Sequence, residues 1–192
     1  MSEAGAQQMA SDGSPAAAGR SFAERFIGAL RLDGSVYEEV ANDAGAIGQA
    51  AGVAVAAAVA RVIGVYSATT SGEAVFGGVS VLAFWPVAAF LVWGVGNLLK
   101  SPADFGRVLR VVGFAMAPLI LVALLLVPND WFRAGVLLVT YALLFAAFVV
   151  GARQALRVDS GRAAFVCIIV AMMFFLIYSV ALYAVYGTGG AS

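Results

Sequence analysis

Histidine is missing from this chain and charge is scarce. Of its 192 residues none is histidine, one is cysteine, and only 11% are Asp, Glu, Lys or Arg. Each shortage excludes something. Without histidine, the usual proton shuttle and the commonest metal ligand are absent. Cys167 stands alone inside an apolar run, so no intramolecular disulfide can form and no base stands ready to activate its thiol. Ordinary soluble domains carry about 25% charged residues. A chain that is 62% hydrophobic lacks the polar surface a water-soluble globule of this size needs, and it reads as an integral membrane protein. A formal net charge of zero leaves no broad electrostatic case for nucleic acid. No pair of acids falls within an apolar run, so the parts of an acid–base, nucleophilic or metal-dependent enzyme are not assembled and no cofactor is expected.

What is present is a series of long apolar runs. The expected fold is all-α, with five transmembrane helices over 44–66, 76–98, 108–127, 134–151 and 163–186 and an amphipathic interfacial helix before them. Residues 1–20, rich in Ser, Ala, Gly and Gln, read as a disordered tail without the basic start and apolar core of a secretory signal. Residues 21–43 form an amphipathic and then acidic segment, 44–187 the membrane domain, and 188–192 a short tail. Ser21 and Glu24 have capping-box spacing. Phe22, Phe26, Ala29 and Leu30 share a helical face that suits either the membrane interface or the cytoplasmic end of the bundle. Asp33 and Gly34 read as a turn.

The first run carries small residues four apart at Gly48, Gly52, Ala56, Ala60 and Gly64. That spacing admits a close second helix inside a bilayer, with Gly48, Gly52 and Ala56 facing one neighbour. Arg61 lies late in the run, placed to snorkel or to pair with Glu73. Thr70 and Glu73 repeat the capping-box spacing. Pro86 is expected to loosen the second helix, and Gly113 and Pro118 to kink the third. Ser101 reads as a helix cap with Pro102 at the first position. Asn129 or Asp130 caps the fourth helix. The fifth, with Met172, Met173, Phe174 and Phe175, is apolar all round and suits a central or a lipid-exposed place.

Five spans put Arg20, Arg25, Arg31, Lys100, Arg107, Arg110, Arg153, Arg157 and Arg162 on one side, against Arg133 on the other. The positive-inside rule then makes the N-terminus cytoplasmic and the C-terminus external. Short loops without an appended soluble domain point to a prokaryotic plasma membrane. The expected cytoplasmic interaction surface sets Tyr37, Glu38, Glu39 and Asp43 beside Asp104, Arg107, Arg110, Arg153, Arg157 and Arg162. The acids either pair with the two basic loops as a structural cap or bind a partner or anionic lipid.

Three segments, FAERFIGALRLDGSVYEEVANDAGAIGQA, GNLLKSPADFGRVLRVVGFAMAP and VVGARQALRVDSGRAAFV, carry a resemblance in their order. The chain resembles the Yip family, named for interaction with Ypt/Rab-type GTPases, and within it the prokaryotic branch. The resemblance implies a five-span membrane protein without known catalysis, and in eukaryotic members roles in vesicle traffic, GTPase association and membrane shaping. It singles out Tyr37, Glu38 and Glu39, then Arg110, Gly113 and Pro118, then Arg153, Gln154 and Arg162. VYEEV stands where eukaryotic members have a DLYGP-type segment, which removes the ground for carrying over GTPase binding. The expected function is a non-enzymatic membrane adaptor or organiser whose partners are the bilayer and other membrane proteins or copies of itself. The alternative is a small oligomeric transporter or channel, with kinked helices in its favour and no deep carboxylate or inverted repeat to support it.

Overall fold

The computed structural model describes residues 19–66 and 69–186, apart from the side chains of 178 and 181–186. Every regular element among them is helical. Two short helices, α1 (Phe22–Leu30) and α2 (Gly34–Asn42), precede the membrane helices α3 (Ile47–Val65), α4 (Ser71–Leu98), α5 (Phe105–Ala115), α6 (Asp130–Leu156) and α7 (Ser160–Tyr186). A short 3₁₀ turn, Ala44–Ala46, leads into α3, and a 3₁₀ helix, Ala117–Leu126, prolongs α5. Five of these units are long and apolar enough to cross a membrane, as the apolar runs predict. The expected tails, 1–20 and 188–192, lie almost entirely outside the described residues.

Local chemistry fixes the ends. Ser21 with Glu24 and Thr70 with Glu73 form complete capping boxes. Asp33, Asp104 and Asn129 each accept an amide hydrogen bond at a helix start. Two boundaries differ from the sequence expectation. Asp33 caps α2, so the chain turns at Leu32, which takes a left-handed φ of 60°. The third membrane helix starts at Phe105 under Asp104; Ser101 Oγ accepts from the Ala103 amide at 3.3 Å and donates to the Leu156 carbonyl at 2.8 Å, ahead of the helix.

The third span is the centre of the bundle. Two thirds of its most apolar window (67%) is buried, against 22% for the fifth, so α7 takes the lipid-exposed of its two expected places. The expected kink at Pro118 is a change of helix type. The α-helix ends at Ala115, Met116 turns, and the chain continues as 3₁₀ with Pro118 in its first turn. Proline brings no amide to an i→i−4 bond, and the tighter winding carries the chain about 2.0 Å per residue. Pro86, by contrast, sits within an unbroken α4.

Close helix approaches fall at particular glycines. A Cβ at Gly113 would stand 2.7 Å from Ala50 Cβ and 2.9 Å from Trp85 Nε1, so α3, α4 and α5 meet there. Gly64 lies against the Val122 carbonyl of the 3₁₀ helix, and Gly151 brings α6 onto Val111. Gly48 and Gly52 are exposed, and nothing lies within 4 Å of a Cβ at Gly48. Ala56 is half-buried, and the packed face of α3 runs instead through Ala50, Val53, Ala54, Ala57 and Ala60. Gly113→Ala is expected to lower stability by about 1–3 kcal/mol through overpacking. Gly48→Ala should raise it by up to about 1 kcal/mol through helix propensity alone. Thermal unfolding of the two variants in detergent checks both.

Candidate functional site at the N-terminal end of the bundle

The candidate residues collect where α1 and α2 meet the start of α5 and the end of α6. An α-helix leaves its last four carbonyls without internal partners. For α6 these are residues 153–156. Arg107 Nη2 donates to the Gln154 carbonyl at 3.1 Å and Nε to the Ala155 carbonyl at 3.0 Å. Ser101 takes the Leu156 carbonyl, and the amides of Arg157 and Val158 take that of Arg153. One short stretch of chain thus satisfies the whole end of another helix. The third arm of Arg107, Nη1, reaches Asn42 Oδ1 on α2 at 2.6 Å.

Arg110, one turn on, does the same for α2. Its Nε and Nη2 donate to the Val40 and Ala41 carbonyls at 3.3 and 2.8 Å. Cations at helix C-termini also complement the helix dipole. Tyr37 fills the space between, fully buried, with its hydroxyl donating to the Ala29 carbonyl at 3.1 Å. Burial pushes its phenol pKa well up, so it stays neutral.

Glu39 and Asp43 are paired inside the N-terminal segment, and for these two this corrects the expected pairing with the basic loops. Arg25 is 5% exposed. It binds Glu39 Oε1 and Asp43 Oδ2, each at 2.8 Å, and donates to Gln49 Oε1 at 2.9 Å. Arg20 adds a second bond to Glu39 at 3.0 Å. Asp43 also accepts from the Gly45 amide at the start of the first span. Burial draws the Glu39 pKa upward, but hydrogen bonds from Arg25 and Arg20 outweigh it and hold the carboxyl below its ordinary value. The Arg25 hydrogen bond, chiefly, lowers Asp43 as well.

Arg107 and Arg110 therefore serve carbonyls, and Asp104 serves the amide of Arg107. Glu38, Arg153, Arg157 and Arg162 remain exposed. Arg162 makes only a solvent-facing pair with Asp159. Sequence reasoning counted Arg20 and Arg25 for topology alone and missed their pairing. The signal was there, since Arg25 follows Phe22 by three and precedes Ala29 by four, which puts it on the packed face of α1.

Compared with known proteins, the chain matches the sequence model of one family, described as the Yip1 domain, over residues 29–182. No curated protein and no solved structure matches it significantly.

Two outcomes are expected here. Arg107→Met should destabilise the protein by on the order of 3 kcal/mol, because it strands buried carbonyls. Arg107→Lys should recover little, since an ammonium cannot reproduce the three-way fork; chemical unfolding in detergent measures both. Glu39 and Asp43 are more acidic when folded than unfolded. Their contribution is complete above the ordinary carboxylate pKa of about 4 and is lost as pH falls through the depressed values. Hydrogen exchange should therefore quicken in α1 before the membrane helices on acidification, and Glu39→Gln should bring that exchange on at neutral pH.

Proposed function

Because the chain belongs to the Yip family, an integral membrane family, we propose that it is a non-enzymatic adaptor whose docking face is the N-terminal end of the bundle. The observation that carries this reading is a division among the charges. Arg25, Glu39 and Asp43 are consumed in joining α1 to α2 and the start of the first span, and Arg107 and Arg110 in holding α2 and α6 against α5. Glu38, Arg153 and Arg157 are left exposed beside them, with Glu38 and Arg157 both within electrostatic reach of Arg107. A rigid, internally satisfied platform with a few unspent charges suits recognition of a partner, because little order has to be imposed at binding.

The positive-inside rule supports placing this face in the cytoplasm of a prokaryotic cell, with the C-terminus outside the plasma membrane. Nine of the eleven Lys and Arg residues belong to this end. Partners are then cytoplasmic segments of other membrane proteins, with anionic headgroups as a supporting surface.

A photoreactive residue belongs at Glu38, since Tyr37 is buried. In native membranes it is expected to capture a distinct protein, with capture lost when Arg153 and Arg157 are both changed to Glu. Capture of lipid alone, or of this chain's own α6–α7 loop alone, overturns the adaptor reading.

A further inference from the structure

Among the described residues, three that are not glycine hold left-handed backbone: Leu32, Lys100 and Arg157. That conformation crowds an L side chain and normally falls to glycine, of which this chain has 22. At the end of α4 the Ser101 amide bonds the Gly96 carbonyl at 3.0 Å and the Lys100 amide bonds that of Asn97 at 2.9 Å. Glycine is the usual residue at the left-handed position of this closure. Arg157 takes the equivalent place at the end of α6, where the Val158 amide bonds the Arg153 carbonyl at 3.3 Å. Leu32 is half-buried and packs against the core, which accounts for its side chain. Lys100 and Arg157 are exposed, and packing accounts for neither. Nor does the helix dipole alone, because Arg153 already brings a cation to the last turn of α6 from regular helical backbone.

The two positions adjoin. Lys100 precedes Ser101 and Arg157 follows Leu156, and Ser101 Oγ donates to the Leu156 carbonyl at 2.8 Å. The helices meet at the same level, since a Cβ at Gly96 would lie 2.6 Å from Leu156 Cδ2. Lys100 and Arg157 therefore mark one corner, where the α4–α5 and α6–α7 loops come together. The acids near it are spent elsewhere. Glu24, Asp33, Asp104 and Asp159 accept amides at helix starts, and Arg25 holds Glu39 and Asp43. At the far end Glu73 is spent likewise, on the Thr70 amide and not on Arg61, its expected partner. Among the described residues Lys100, Arg153 and Arg157 make no ion pair. A chain of zero formal net charge thus presents free positive charge at this corner.

We propose that the corner binds the phosphate of an anionic phospholipid between Lys100 and Arg157, with Arg153 beside them. Both residues directly follow helices long and apolar enough to cross a membrane, which sets them at headgroup level. Two turns before Lys100, Trp93 meets the rings of Phe90 and Phe105 at 5.9 and 6.0 Å, as aromatic side chains do at a membrane interface. A lipid is favoured over an acidic peptide because the corner is built on the ends of two spans, where headgroups lie. The site shares Arg157 with the proposed docking face, but it needs only that the chain span a bilayer and does not rest on the adaptor reading.

The test is native mass spectrometry of the full chain released from nanodiscs of phosphatidylglycerol or of phosphatidylcholine with the same acyl chains. The native chain should retain phosphatidylglycerol roughly tenfold or more over phosphatidylcholine. Glycine relieves the left-handed backbone while removing the charge. Lys100→Gly with Arg157→Gly should therefore unfold in detergent at the same temperature or higher, yet lose the preference. Lys100→Gln with Arg157→Gln should lose it equally, while Arg31→Gln, an exposed cation at the α1–α2 turn, should keep it. Equal retention of the two lipids by the native chain overturns the proposal, as does a preference that survives either double variant. So does displacement of phosphatidylglycerol by an equal concentration of glycerol phosphate, which would make this a site for free phosphate, or of a hexaglutamate peptide, which would assign the cations to a protein partner.

Discussion

The end of a helix is an electrostatic problem, and in this protein its solution holds the fold together. Carbonyls at the last turn of α6 and of α2 would be stranded at the boundary between membrane and water. Two arginines one turn apart on the central helix answer both ends at once. Because each guanidinium spans two elements, the N-terminal helices, the central helix and α6 cannot separate without exposing unpaired acceptors. Hydrogen bonds that are modest singly become a shared constraint when one side chain makes three of them.

That arrangement also explains which parts of the molecule were legible in the sequence. The five spans, both capping boxes and the cap at Asn129 follow from local pattern, hydropathy and spacing. The interaction of Arg107 with Gln154 and Ala155 does not, because a backbone carbonyl has no sequence signature. Arginines near acids invite an expectation of ion pairs, and the acids here are matched to Arg20 and Arg25 within the same segment instead. The Yip-type segments singled out Tyr37, Arg110 and Gly113. All three prove to be places where elements meet: a buried phenol, a bridge between helices and a close helix crossing. Family motifs here mark architecture.

The two ends of the bundle use arginine in opposite ways. At the N-terminal end every buried guanidinium is committed to a partner, and rigidity is the result. At the other end Arg61 buries one nitrogen that has no hydrogen-bond partner among the described residues. The small residues at Gly48 and Gly52 add to this asymmetry, since they lie exposed on α3 while Gly64 and Gly113 take up the close contacts.

The 3₁₀ helix has a further geometric consequence. Three residues per turn stack side chains in straight columns, where an α-helix would spiral them. Leu119, Val122 and Leu125 form one such column and line a cavity of about 300 Å³ shared with Ala57, Arg61 and Tyr141, while Leu121 and Leu124, in the next column, line a separate hollow against α6. Position in the sequence therefore reads directly as depth, at about 6 Å per step of three. The column works as a graduated rule laid along the helix axis. A one-residue shift of its register would turn a different column to the cavity.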